Sequence, residues 1–223
     1  MRAAIFDFDG VIADTERLHF QAMRDALRTE GLEITQDEYY GLYLAYDDRG
    51  ATRLALEHHG RASGPDRVEA LAARKRARFE AVLQTVVFFP GAARLVRTLA
   101  ERMPVGIASG ARRGEIEAIL TAGGLRDAVT TIVGVEDVAR TKPDPEPYLT
   151  AMTRLLPRAP GLVPAQCLAI EDSVPGILSD KTAGMKVVAV ATSYAAEKLK
   201  TAHLVVATLE GLDSDGLDAL FEG

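Results

Sequence analysis

Two carboxylates two residues apart, Asp7 and Asp9, follow the short apolar run 3–6 close to Met1. Side chains of an extended segment alternate, so this spacing predicts that both point the same way. Carboxylates confined to one small space repel each other unless a cation or a proton sits between them. The pair is therefore a natural magnesium site and a place where carboxyl pKa values can be driven apart. The competing reading is a pair of solvated turn aspartates, because aspartate is common wherever a strand ends in a turn.

Three further apolar runs end in groups that suit the same chemistry. After 105–108 come Ser109 and Gly110, a hydroxyl donor and a residue whose backbone can approach a phosphate closely. Ser109 also suits a helix cap. After 131–135 comes Thr141-Lys142-Pro143-Asp144-Pro145, where prolines restrict the backbone around a lysine able to neutralise a phosphoryl oxygen or a nucleophile. A lysine in a loop is otherwise simply solvated. After 167–170 comes Glu171-Asp172-Ser173, whose acidic oxygens can complete an octahedral magnesium shell with waters, or can cap the next helix.

The elements that must position these groups follow from periodicity. Runs 3–6, 105–108, 167–170, 187–190 and 204–206 have strand length, and 94–99, 115–120, 147–156 and 175–183 repeat apolar residues at helical spacing. Alternation of strand and helix predicts an α/β fold, a doubly wound and mainly parallel Rossmann-like sheet whose ligand site lies at the carboxyl ends of the strands. Residues 16–85 differ, with four helical patterns at 18–27, 38–44, 52–58 and 68–83. The expected organisation is a catalytic core of 1–15 and 86–223 with an inserted α-helical cap, 16–85. Phe89-Pro90-Gly91 marks the return to the core.

Composition narrows the partners. Of 223 residues, 32 are acidic and 26 basic, a net charge of -6, which argues against nucleic acid or an anionic membrane as partner. The single cysteine, Cys167, cannot form an internal disulfide and reads as a buried small side chain. Charged residues soon after Met1 and the lack of an 18-residue apolar run predict a cytoplasmic protein without a secretory signal or membrane span.

These motifs together resemble the haloacid dehalogenase superfamily, in the helical-cap branch that includes phosphoglycolate phosphatases and beta-phosphoglucomutases. The likeness covers essentially the whole chain. It rests on Asp7-Phe8-Asp9-Gly10-Val11-Ile12-Ala13-Asp14-Thr15, on Ser109-Gly110, on Lys142-Pro143 and on Glu171-Asp172-Ser173-Val174-Pro175-Gly176. The resemblance implies Asp7 as nucleophile and metal ligand, Asp9 as general acid/base and ligand through its carbonyl, and Asp172 as a further ligand with Glu171 supporting it. It also implies that Ser109, Gly110 and Lys142 hold the phosphoryl group and that Mg2+ is the cofactor. Two departures stand out: Thr141, where glycine often precedes the lysine, and Ser179-Asp180-Lys181, where alanines are common. The second predicts a more exposed helix.

The implied activity is magnesium-dependent hydrolysis of a small phosphorylated metabolite, a sugar phosphate or phosphoglycolate-like compound, through an aspartyl phosphate. A phosphosugar mutase shares the first half of that chemistry. A phospho-accepting signalling domain is the non-enzymatic alternative, but it needs neither Asp9 nor a helical insert. Substrate choice would rest on the cap, where His19, Arg49 and Lys75 fall in regions resembling the mutase's substrate-binding parts. Each has a plainer reading: His19 shares a helix face with Met23 and Ala26, Arg49 follows two aspartates that can pair with it, and Lys75 lies in the basic run 74–78.

Overall fold

The computed structural model describes residues 1–43 and 46–222. Leu44, the end of the helix expected over 38–44, lies outside the described residues. The chain opens with strand β1 (Ala3–Phe6) and passes through four helices, α1 (Glu16–Arg28), α2 (Gln36–Glu38), α3 (Asp48–His58) and α4 (Pro65–Val82). After α2 the chain runs on as a π-helical turn, Tyr39–Tyr43. Strands and helices then alternate: α5 (Ala92–Ala100), β2 (Val105–Ala108), α6 (Arg113–Ala122), β3 (Thr131–Val133), α7 (Glu146–Leu155), β4 (Cys167–Glu171) and α8 (Val174–Thr182). The last elements are β5 (Lys186–Val190), β6 (Leu204–Val206) and the short α9 (Ser214–Asp218).

The chain divides into two compact units, one of Met1–Asp14 with the chain from Val87 onward, the other Thr15–Val86. In the first, the strands form one parallel sheet in the order β3-β2-β1-β4-β5-β6. Ala3, Ala4, Ile5 and Phe6 are all fully buried, as a strand covered on both faces requires. Burying Ile5 or Phe6 contributes roughly 1.5–3 kcal/mol each. Sequence-adjacent strands lie on opposite sides of β1, so the strand order reverses beside it and opens a crevice at the carboxyl ends. Register then sets what meets there: Phe6 pairs with Ile107 on one side and Ile170 on the other, so the residues just beyond each strand arrive side by side.

Helix α8 is not the exposed helix that its Ser179-Asp180-Lys181 sequence predicts. Gly176, Ile177, Ser179 and Asp180 form its buried face at i, i+1, i+3, i+4, and Ser179 donates to the Asp144 carbonyl at 2.6 Å. Lys181 alone of the three turns outward, donating to the Thr201 carbonyl at 2.7 Å. The polar residues fall on the inward stripe, and helical phase overrides residue type.

The second unit is helical. Phe20, Met23 and Leu27 of α1, Tyr39 and Tyr43, Ala51, Ala55 and Leu56 of α3, and Val68 and Leu71 of α4 share one apolar core. Helix α4 starts at Pro65, tolerated at the first helical position, and its buried stripe runs Val68, Leu71, Ala72, Lys75, Phe79. Lys75 is therefore a core-facing residue.

Candidate active site

Asp7 is the first residue past β1, and its amide donates to the Ile170 carbonyl at 2.8 Å, which ties it to the end of β4. Beyond it the chain curls instead of staying extended. The amides of Ile12 and Ala13 both return to the Phe8 carbonyl, so Asp9 sits in a turn. Strand alternation therefore does not set how Asp9 points relative to Asp7, because Asp9 lies in this turn and not in an extended segment. Gly10 makes the turn possible, with φ of 79° and a position where a Cβ would collide with the Asp172 carboxylate and the Ser193 hydroxyl.

The other strand ends complete the cluster. Ser109, nearly buried after β2, donates to Asp9 Oδ2 at 3.2 Å and accepts from the Ala111 amide at 3.0 Å. It does not cap α6, whose N-cap is Arg112. Gly110 is exposed, and a Cβ there would meet nothing. Lys142 reaches Asp7 Oδ1 at 2.9 Å and Glu171 Oε1 at 2.6 Å, with the Tyr148 ring 5.0 Å from its ammonium. Glu171 Oε1 also accepts from Tyr148 Oη, and Oε2 accepts from the Asp172 amide, the Ser173 amide and Ser173 Oγ. Both its oxygens are thus saturated by donors, which suits an anchor for Lys142 better than a metal ligand. Gly176 allows this, since any Cβ there would overlap the Glu171 carboxylate.

Electrostatics reflect four carboxylates around one cation. Burial pushes the Asp7 carboxyl well above the usual range; Lys142 opposes this, and Glu171, Asp172 and Asp9 push it further up. Asp172 rises to about 7, chiefly by burial and then by the Glu171 charge, against the hydrogen bond with Ser193. Burial alone would lower Lys142, but the Asp7 and Glu171 charges overrule it and hold it protonated above the ordinary lysine range. Glu171 stays ionised: burial works against it, but Lys142 and the Ser173 hydrogen bonds bring it below its usual value. Carboxylate oxygens of Asp7, Glu171 and Asp172 lie within 4.8 Å of one another. A buried, electron-rich set of hard oxygens with one ammonium fits a divalent cation such as Mg2+, with Asp7 and Asp172 as the carboxylates still able to coordinate it.

Three participants escape a reading of motifs alone. Tyr148 looks like one more apolar position of its helix, yet its hydroxyl contacts Glu171. Ser193 lies past the end of β5, where the strand-end logic would have found it. Asp180 lies fully buried in α8, and among the described residues its two oxygens are the buried side-chain atoms without a protein partner. Burial, then the Glu171 charge, raises its pKa well above normal; Lys142 opposes this and Asp7 adds to it, and Tyr148 also faces it electrostatically.

Asp180 therefore stays neutral in the folded protein at a pH where the unfolded chain has lost that proton. The unfolded state then binds fewer protons, so this residue lowers stability progressively as pH rises above about 4, until its folded pKa is reached. Asp180→Asn, which cannot ionise, is expected to gain on the parent by more than about 1 kcal/mol between pH 5 and pH 8. Urea unfolding midpoints at the two pH values read this directly. A difference that does not change with pH would mean that Asp180 ionises normally.

The three cap candidates belong to the helical unit. His19 stacks on Phe79 at 3.9 Å, and burial, helped by the Lys75 charge, lowers its pKa to about 3. Its Nδ1 lies 2.6 Å from Lys75 Nζ, and because an ammonium only donates, Nδ1 accepts. Lys75 also bonds Asp48 Oδ1 at 2.6 Å, so it is not the solvated lysine that its basic run suggests. Exposed Arg49 pairs with Glu69 of α4 and not with the aspartates before it: Asp47 caps α3 and Asp48 holds Lys75. Cys167 is buried, its thiol pushed up to about 12 by burial, with Arg2 opposing. Among the described residues no helix is long and apolar enough to cross a membrane.

Comparison with known proteins agrees with this arrangement. Residues 4–190, which include every strand-end group named above except Ser193, match the model of the haloacid dehalogenase-like hydrolases. Protein CbbY of Rhodobacter capsulatus is 32% identical over 202 residues, 87% of this chain and 87% of that protein. Hexitol phosphatase B of Escherichia coli is 31% identical over 191 residues, 84% of this chain and 82% of that one. The crystal structure of CbbY from Rhodobacter sphaeroides in complex with phosphate shares the fold, with a TM-score of 0.83 at 24% identity over 98% of this chain and 99% of that chain. With the sheet order, the loops at its carboxyl ends and the sequence match in agreement, this chain belongs to the haloacid dehalogenase-like hydrolase family.

Proposed function

We propose that the chain is a magnesium-dependent phosphatase that hydrolyses a small phosphorylated metabolite through an aspartyl phosphate on Asp7. The observation that carries this reading is the Lys142 ammonium, held between Asp7 and Glu171 with Asp172 and Asp9 around them. Asp7 then has one oxygen oriented by Lys142 and by the Phe8 amide at 2.7 Å. Its other oxygen attacks phosphorus, the bond from phosphorus to the leaving alkoxide breaks, and Asp9 gives that oxygen its proton. Asp9, oriented by Ser109, next takes a proton from water as the water attacks the same phosphorus. The bond to Asp7 breaks, releasing inorganic phosphate. When bound by Asp7 and Asp172, Mg2+ supplies positive charge that offsets the phosphoryl oxygens. Lys142 and Ser109 hold the phosphoryl group, with Gly110 leaving open backbone for it. Substrate choice rests on the helical unit, with His19, Arg49 and Lys75 as candidates.

The test is a panel of hexitol, hexose, pentose and two-carbon phosphates with magnesium and with excess chelator. The expected outcome is stoichiometric release of inorganic phosphate, lost in chelator and in Asp172→Ala. Interconversion of hexose phosphates that requires a bisphosphate primer, with little net hydrolysis, would instead mark a mutase. Full turnover in chelator would remove the metal from the mechanism.

A further inference from the structure

We infer that Glu38, His58 and His59 form a second metal site, on the helical unit, for a divalent transition ion of which Zn2+ is the natural probe. Glu38 ends α2 and is held there by a capping box with Thr35. His58 ends α3, and His59 follows as its C-cap. Glu38 Oε1 lies 3.0 Å from His58 Nδ1 and 2.6 Å from His59 Nε2, and the three ligand atoms all lie within 4.8 Å of one another. Two imidazoles and a carboxylate are the donor set that borderline transition ions prefer, unlike the all-oxygen set of Asp7 and Asp172.

A plain hydrogen-bonded cluster accounts for this geometry less well. Tyr43 Oη also bonds Glu38 Oε1, at 2.6 Å, so three groups converge on one oxygen that has two lone pairs. Glu38 Oε2 meanwhile receives the Thr35 amide at 3.3 Å. A metal removes the crowding: both rings turn lone pairs, not protons, toward a shared centre. Tyr43 Oη, also 3.1 Å from His58 Nδ1, then orients the carboxylate from outside the coordination shell. Metal bonds of about 2.0–2.1 Å in a tetrahedron place ligand atoms about 3.3 Å apart, so Glu38 Oε1, now 3.0 Å from His58 Nδ1 and 2.6 Å from His59 Nε2, has to draw back from both rings by well under ~1 Å. The rings have room for this, with His58 52% and His59 28% exposed.

Zn2+ titrated into the full chain against a chromophoric chelator, with excess Mg2+ to occupy the carboxylate site, is expected to show one bound equivalent. Co2+ in its place should give visible bands of a low-coordinate N/O site. Asp172→Ala should keep both signals. His59→Ala should weaken binding by more than ~10-fold, the lower end of what even outer-shell partners cost. Glu38→Gln, which retains the capping box and so the local fold, should do the same. No bound equivalent, binding unchanged in both variants, or binding lost with Asp172→Ala would each overturn the assignment.

Discussion

Asp7→Asn is expected to lower kcat by on the order of 10⁶, the scale seen when a nucleophile is removed from a cooperating set. Asp9→Asn is expected to cost less, roughly 10²–10⁴, because it removes proton transfer and leaves the attacking oxygen in place. The difference follows from their surroundings: Asp7 is buried against Lys142, whereas Asp9 sits in the following turn and is held by Ser109. Leaving-group dependence separates the two further. A sugar phosphate leaves as a poor alkoxide and needs the Asp9 proton; acetyl phosphate does not. With acetyl phosphate, Asp9→Asn should therefore still phosphorylate Asp7 but discharge it slowly, because no base activates the water. Rapid acid quench and mass spectrometry should find the phosphate on Asp7. Label on Asp9, or label retained in Asp7→Asn, would reverse the roles.

The groups at the strand ends were legible in sequence because each is contiguous with an apolar run of strand length, and a parallel sheet brings such ends together. Asp7, Ser109, Glu171 and Asp172 need only that rule, whereas Lys142 lies beyond β3 and the turn Val135–Asp137 and is marked instead by the prolines that follow it. What could not be read is whatever depends on the partner across space. Glu171 looks as suitable a ligand as Asp172, and only the donors from Lys142, Tyr148 and Ser173 distinguish an anchored carboxylate from an available one. Lys75 was hidden by its basic neighbours, although its phase with Val68, Leu71 and Phe79 already placed it on the buried stripe. Asp180 is the converse case: its residue type points outward, while its phase with Gly176 and Ile177 places it on the buried stripe. Arg49 could not be paired with Glu69 from sequence, since the two lie on different helices.

Lys142→Met is expected to destabilise the protein by about 3–5 kcal/mol in excess chelator, the cost of leaving buried charges without their partner. At about 2–4 °C per kcal/mol for a chain of this size, the melting temperature should fall by roughly 6–20 °C. The argument is one of compensation: a single ammonium lies 2.9 Å from Asp7 and 2.6 Å from Glu171, and Glu171 is fully buried. With Lys142 present, Glu171 has a lowered pKa, so its stabilisation is complete above its unfolded value and is lost as pH falls through the folded one. Without Lys142 the sign reverses. Burial then dominates, the folded pKa of Glu171 rises above the unfolded value, and stability falls as pH increases from about 4. Lys142→Met should accordingly be closer to the parent at pH 5 than at pH 8. Adding Glu171→Gln should recover part of the loss at pH 8 without restoring activity, because it removes the uncompensated charge but not the need for Lys142. Thermal melts of the parent, both single variants and the double variant at the two pH values form the cycle that measures this coupling. If Lys142→Met melted within a degree or two of the parent at pH 8, the ammonium would not be the charge that holds these carboxylates together.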